Sequence, residues 1–141
     1  MDAIENFKTI TDGIGHGTTT FYHHSKDVYD FLKRESLPED VCLAGLYHAI
    51  YGTNYFYKNL HKIKVEITRD YIKNVIGEFA ENLVYQFCSL PNRDVTIYNG
   101  SDIYLQYIAY ANLLAQSRPN KKVEKLKILY KNKLSHREDI S

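Results

Sequence analysis

Apolar residues recur at three- and four-residue spacing along most of the chain, the signature of helices that bury one face. A first short helix, about Ala3 to Thr11, stops at Gly13-Ile14-Gly15-His16-Gly17, a glycine-rich connection that leaves His16 in or beside a loop. From about Thr19 to Glu35 the residues Phe21, His24, Val28, Phe31 and Leu32 form one stripe, so His24 faces the core. His23 lies about 100° around the helix with Asp27 and Asp30, on the solvent side. After the turn Ser36-Leu37-Pro38-Glu39, the third helix, about Pro38 to Tyr51, is apolar nearly all round, as a central helix is. His48 is therefore inside the protein, and Gly45 one turn earlier permits a neighbouring helix to approach closely.

Beyond Gly52-Thr53-Asn54 the periodicity weakens, and Tyr55 to Glu66 reads as loop, with a short helix as the alternative. Thr68 is the N-cap of a fourth helix, the longest expected, burying Ile72, Val75, Ile76, Phe79, Ala80, Leu83, Val84 and Phe87. Pro91-Asn92-Arg93-Asp94 breaks it, and Val95 to Gly100 reads as a short extended stretch closed by a turn. A fifth helix, about Asp102 to Gln116, turns Tyr104, Tyr107, Ile108, Ala111 and Leu114 inward. A sixth, about Lys122 to Leu134, is basic outside and apolar at Val123, Leu126, Leu129 and Tyr130, as a cap over the bundle would be. The fold class is all-α, a compact bundle of about five to six helices: a helical domain over 1–118, with the basic helix of 119–141 packed on it and ending in a flexible tail.

A chain of 141 residues fits one hydrophobic core. Its 18 Lys plus Arg against 17 Asp plus Glu give a net charge of +1, which offers no global attraction to nucleic acid or an anionic membrane. The lysines of the last helix, interrupted by Glu124, read as a solvated face. Cys42 and Cys88 sit in apolar runs without a CxxC partner and read as free thiols of a reducing compartment. The N-terminus lacks the features of a secretory signal, and no apolar run approaches the roughly 20 residues of a membrane helix, so the expected location is cytoplasmic. Thirteen tyrosines against no tryptophan suit amphipathic core edges or a tyrosine-lined cavity. No strand precedes the glycine run, which is therefore not a dinucleotide fingerprint, and no nucleophile elbow is present.

Imidazole at a core position is costly unless its nitrogens find partners. Two core-facing histidines on adjacent helices therefore suggest a shared polar centre, either hydrogen-bonded or closed by a metal ion. The segment Leu43-Ala44-Gly45-Leu46-Tyr47-His48-Ala49-Ile50-Tyr51-Gly52 resembles the HD-motif helix of the HD-domain superfamily, in which an apolar helix ends in His-Asp followed by an apolar residue and Gly. His24 falls where that superfamily carries its first ligand, and Asn112 where it carries its final Asp. His16, His24, the run from Ala44 to His48, Tyr51-Gly52-Thr53, Arg69, Ile76-Gly77 and Ala80-Glu81 are together similar to an uncharacterised HD-like family of plants and bacteria, over roughly Gly15 to Gln116.

The resemblance implies a divalent metal (Fe, Zn or Mn) on His24, His48 and Asn112, in a hydrolase or oxygenase acting on a small, phosphorylated or polyhydroxylated molecule in a central helical pocket. Two carboxylates of the pattern are replaced, by Ala49 and Asn112, and a neutral amide is a weak ligand for divalent cations. Glu81 is the nearest replacement carboxylate, with Glu78 one turn away and His61 as an additional imidazole; for both glutamates the alternative is a solvated helix face or an ion pair with Arg69 or Arg93. In this reading Glu81 completes or orients the shell, His16 or Tyr51 donates a proton or contacts substrate, and Arg69 meets an anionic group. The alternative is a non-catalytic small-ligand-binding or regulatory module on a degenerate HD fold. Either acts on a small molecule without nucleic acid or membrane, and a homo-oligomer stays open.

Overall fold

The computed structural model describes residues 2–16, 19–52, 66–116 and 120–136. In chain order its helices are α1 (Ala3–Ile10), α2 (Phe21–Arg34), α3 (Glu39–Leu46), α4 (Arg69–Ile76), α5 (Glu78–Ser89), α6 (Arg93–Tyr98), α7 (Ile103–Leu114) and α8 (Lys121–Ser135). Asp2, Thr20, Thr68, Asp102 and Asn120 each place a side-chain oxygen on the first-turn N–H groups of α1, α2, α4, α7 and α8, donors that have no partner inside a helix. Gly15–His16 and Thr19–Thr20 form a two-residue antiparallel pair ahead of α2.

The all-helical bundle expected from the sequence is present, with α3 at its centre touching α1, α2, α4, α5 and α7. A Cβ at Gly45 would stand 2.4 Å from Leu32 Cδ1 and 3.1 Å from Val28 Cγ1, so the missing side chain is what lets α2 and α3 close on each other. Leu32 and Val28 are both fully buried and have little room to give.

Five expectations are corrected. The single fourth helix is two, α4 and α5, divided at Gly77, whose φ of 92° and ψ of 162° lie in a region that essentially only glycine occupies. The break re-aims the chain, leaving Phe79, expected in the core, 50% exposed. Val95 to Gly100, expected to be a short extended stretch, lies largely in the helix α6 (Arg93–Tyr98), entered through a left-handed Asn92 with φ 44°. The α-helix of α3 ends at Leu46 and continues to Gly52 as three-residue turns, with Ile50 N–H donating to Tyr47 O at 2.9 Å and Gly52 N–H to Ala49 O at 3.2 Å. Leu114, expected inward, is 40% exposed at the end of α7.

Helix α8 packs on α7 through Leu126, Tyr130 and Leu134. Tyr130 stacks on Tyr110, meets Tyr98 edge-on, and donates its hydroxyl to Asp94 O. The loop expected over Tyr55 to Glu66 lies almost wholly outside the described residues, as does the C-terminal tail from 137 on. Among the described residues no helix is long and apolar enough to cross a membrane.

Candidate functional site

His24 enters the interior from the first half of α2 and His48 from the turns that follow α3, each 2% exposed. Their ring centroids are 5.4 Å apart with the planes tilted by 56°. Asn112, on α7 and 6% exposed, brings its amide 2.9 Å from His24 Nε2, and Phe87 of α5 lies edge-on to His48 at 5.6 Å. The three residues expected to hold a metal thus share one buried space.

The carbonyls around the rings assign their tautomers. His48 Nδ1 is 2.7 Å from Gly45 O and His24 Nδ1 is 3.2 Å from Ala115 O. A carbonyl only accepts, so each Nδ1 carries the proton and donates it, and each Nε2 carries the lone pair when the ring is neutral. Burial lowers the His24 pKa below 6.5, against the bonds from Asn112 and Ala115 and the charge of Asp27, which favour the proton, so His24 is neutral near pH 7. With Nε2 an acceptor, the Asn112 amide satisfies it by donating an N–H, an orientation reached by a half-turn of the amide.

A second polar cluster is centred on the buried Glu81. Glu81, with no exposed surface, accepts at Oε2 from Tyr51 Oη–H and Arg69 Nε–H, both at 2.8 Å, and at Oε1 from Arg69 Nη2–H at 2.9 Å. The Arg69 guanidinium lies 3.7 Å from the centre of the Tyr85 ring, which Tyr51 meets edge-on at 6.3 Å. Burial works to raise the Glu81 pKa, but the bonds from Arg69 and Tyr51 and the Arg69 charge outweigh it and hold the carboxyl below its usual 4.5. Burial and the bond to Glu81 push the Tyr51 phenol well above its usual range, so it stays protonated and donates.

Glu81, expected to complete the metal shell, is committed to Arg69 and Tyr51, and among the described residues no three of His, Cys, Asp and Glu are grouped to hold an ion. Arg69 and Tyr51 are joined to each other through that carboxylate. The His16 side chain and His61 lie outside the described residues. Glu78 is exposed, as is His23.

Sequence reasoning missed Cys88, whose thiol donates to His48 O at 2.9 Å. Glu81, Tyr85 and Cys88 recur at helical spacing on α5, and that stripe ties down the turns carrying His48 and Tyr51. Their spacing could have pointed to it, had Tyr85 and Cys88 been read with Glu81. The carbonyls of Gly45 and Ala115 have no sequence signal at all.

Neither the curated proteins nor the solved structures give a significant match to the chain. The family model of a domain of unknown function, DUF6817, matches residues 7–92, a span that holds His24, His48, Arg69 and Glu81 and stops before Asn112. By that match over more than half its length, the chain belongs to the DUF6817 family.

Proposed function

We propose that the chain is a divergent HD-like domain in which His24 and His48 bind one transition-metal ion through Nε2, and that it is an enzyme, a hydrolase or oxygenase, acting on a small phosphorylated molecule beside that centre. The observation that carries the reading is the common orientation of the two rings, each with Nδ1 held by a backbone carbonyl and the two centroids 5.4 Å apart. Metal-ligating imidazoles are oriented in this way, because the carbonyl fixes the tautomer and raises the basicity of the other nitrogen. Two imidazoles and an amide suit zinc or iron better than manganese, which favours carboxylates.

When bound, such an ion supplies a Lewis acid and lowers the pKa of a coordinated water. The chain's residues do the rest: His24 and His48 would fix the position, Asn112, released from its bond to His24 Nε2, would turn its amide oxygen to the ion, and Phe87 with the burial of both rings keeps bulk water out. With Ala49 and Asn112 in place of carboxylates, the centre keeps a high positive charge and favours an anionic substrate group. Glu81 acts at one remove, holding Tyr51 and so the turn that carries His48.

The direct bond between His24 and Asn112 favours a second reading, a non-catalytic module that binds a small ligand, because it satisfies the ring without an ion. Elemental analysis of protein purified without chelator separates the two. The enzyme reading expects about one zinc, iron or manganese per chain, reduced to trace in a folded His48→Ala variant, and tighter metal binding in Asn112→Asp by about tenfold or more. Metal content that ignores His48→Ala overturns it, and stabilisation of chelator-treated protein by a small metabolite then supports the second reading.

A further inference from the structure

The angle between α4 and α5, made by Gly77, opens a groove of about 620 Å³ lined among the described residues by Arg69, Lys73, Glu78, Phe79, Glu81 and Asn82. That volume lies in the range of small-molecule sites, roughly 300 to 1,000 Å³. We propose that this groove binds a phosphomonoester on a ring-bearing, hydroxylated body, with Arg69 and Lys73 on the phosphate and Phe79 against the ring. Among the described residues the groove shares no lining residue with the space of His24, His48 and Asn112, so this goes beyond the reading above, and its test is run without metal so that the two fail separately.

Charge placement selects the phosphate. Glu81 takes two of the five N–H groups of Arg69, through Nε and Nη2, and the others meet no partner among the described residues although the side chain is 44% exposed. Glu81 itself has a side chain only 1% exposed and both oxygens occupied, so it offers the groove no negative group while holding the guanidinium rigid. A guanidinium fixed on one edge and solvated on the other is preorganised for an oxyanion. Lys73, one helical turn along α4, makes no ion pair among the described residues and adds a second cation to the same wall.

The other wall fixes the body of the ligand. Phe79 is 50% exposed and braced edge-on by Tyr104 at 6.0 Å, an apolar surface for a ring. Glu78 and Asn82 accept and donate hydrogen bonds and suit hydroxyls. Among the described residues Glu78 is also the one exposed anion of the groove, which disfavours a second phosphate and limits the ligand to a monoester.

Inorganic phosphate and phenyl phosphate, titrated into the chelator-treated full chain and followed by backbone amide NMR, test this. Phenyl phosphate is expected to bind more tightly and to shift amides of residues 69–82. Lys73→Met, which keeps the aliphatic stem, is expected to weaken both probes about tenfold, as the loss of a charge-assisted bond does. Phe79→Ala is expected to weaken phenyl phosphate and leave inorganic phosphate unchanged. No saturable binding up to about 10 mM, shifts centred elsewhere, or affinities indifferent to both variants overturn the proposal.

Discussion

A carboxylate without exposed surface is tolerated only when its charge is matched, and Glu81 meets that demand through Arg69 and Tyr51. Its folded pKa lies below 4.5, so just below that value the unfolded chain binds the proton more readily than the folded one. The stabilisation is therefore complete above pH 4.5 and is lost as pH falls through the folded value. Glu81→Gln is expected to cost about 1 to 3 kcal/mol near pH 7, with the deficit shrinking below pH 4.5. Urea midpoints of the two proteins across pH check this, and a deficit that persists into acid refutes it. The burial of Glu81 was legible from its place beside the apolar stripe of α5, and an ion pair with Arg69 or Arg93 was one alternative the sequence left open; the choice of Arg69 and the bond from Tyr51 were not legible, since both residues come from other segments of the chain.

At the scale of elements, the caps and the apolar stripes were readable because both are local: Thr68 announces α4, and the α2 stripe announces a buried His24. The division at Gly77 was not, since Ile72, Ile76, Ala80, Leu83 and Phe87 are all buried and carry the helical period across the break. A Cβ at Gly77 would meet nothing within 4 Å, which leaves backbone strain as the sole cost of adding one. Gly77→Ala is expected to destabilise the protein by about 1 to 3 kcal/mol, read as a lower urea midpoint with an unchanged slope. An unchanged midpoint would mean that the chain between α4 and α5 straightens at no cost. The reverse error, an extended reading of Val95 to Gly100, arose because Val95, Thr96, Ile97 and Tyr98 favour strands locally, and packing of Ile97 into the core overrode that preference.

For the molecule as a whole, the question is whether α8 is an appendage or part of the core. Tyr130 has no exposed surface and joins α8 to Tyr110 of α7, Tyr98 of α6 and the Asp94 carbonyl. Tyr130→Ala is expected to cost about 3 kcal/mol or more and to lower the single Tm by about 10 °C. Calorimetry that shows α8 melting apart from an unaltered main transition would contradict this. What the chain determined by itself was periodicity: an all-helical bundle, a central third helix, a glycine on it where some neighbouring helix closes in, and two histidines turned inward. Periodicity reports which face of a segment is buried, and it is indifferent to which distant segment covers that face. The resemblance had grouped His24, His48 and Asn112, but only the tertiary structure could hold the two imidazoles by the Gly45 and Ala115 carbonyls and commit Glu81 to Arg69 and Tyr51, because those pairings depend on helix crossings and on backbone carbonyls that every residue type shares.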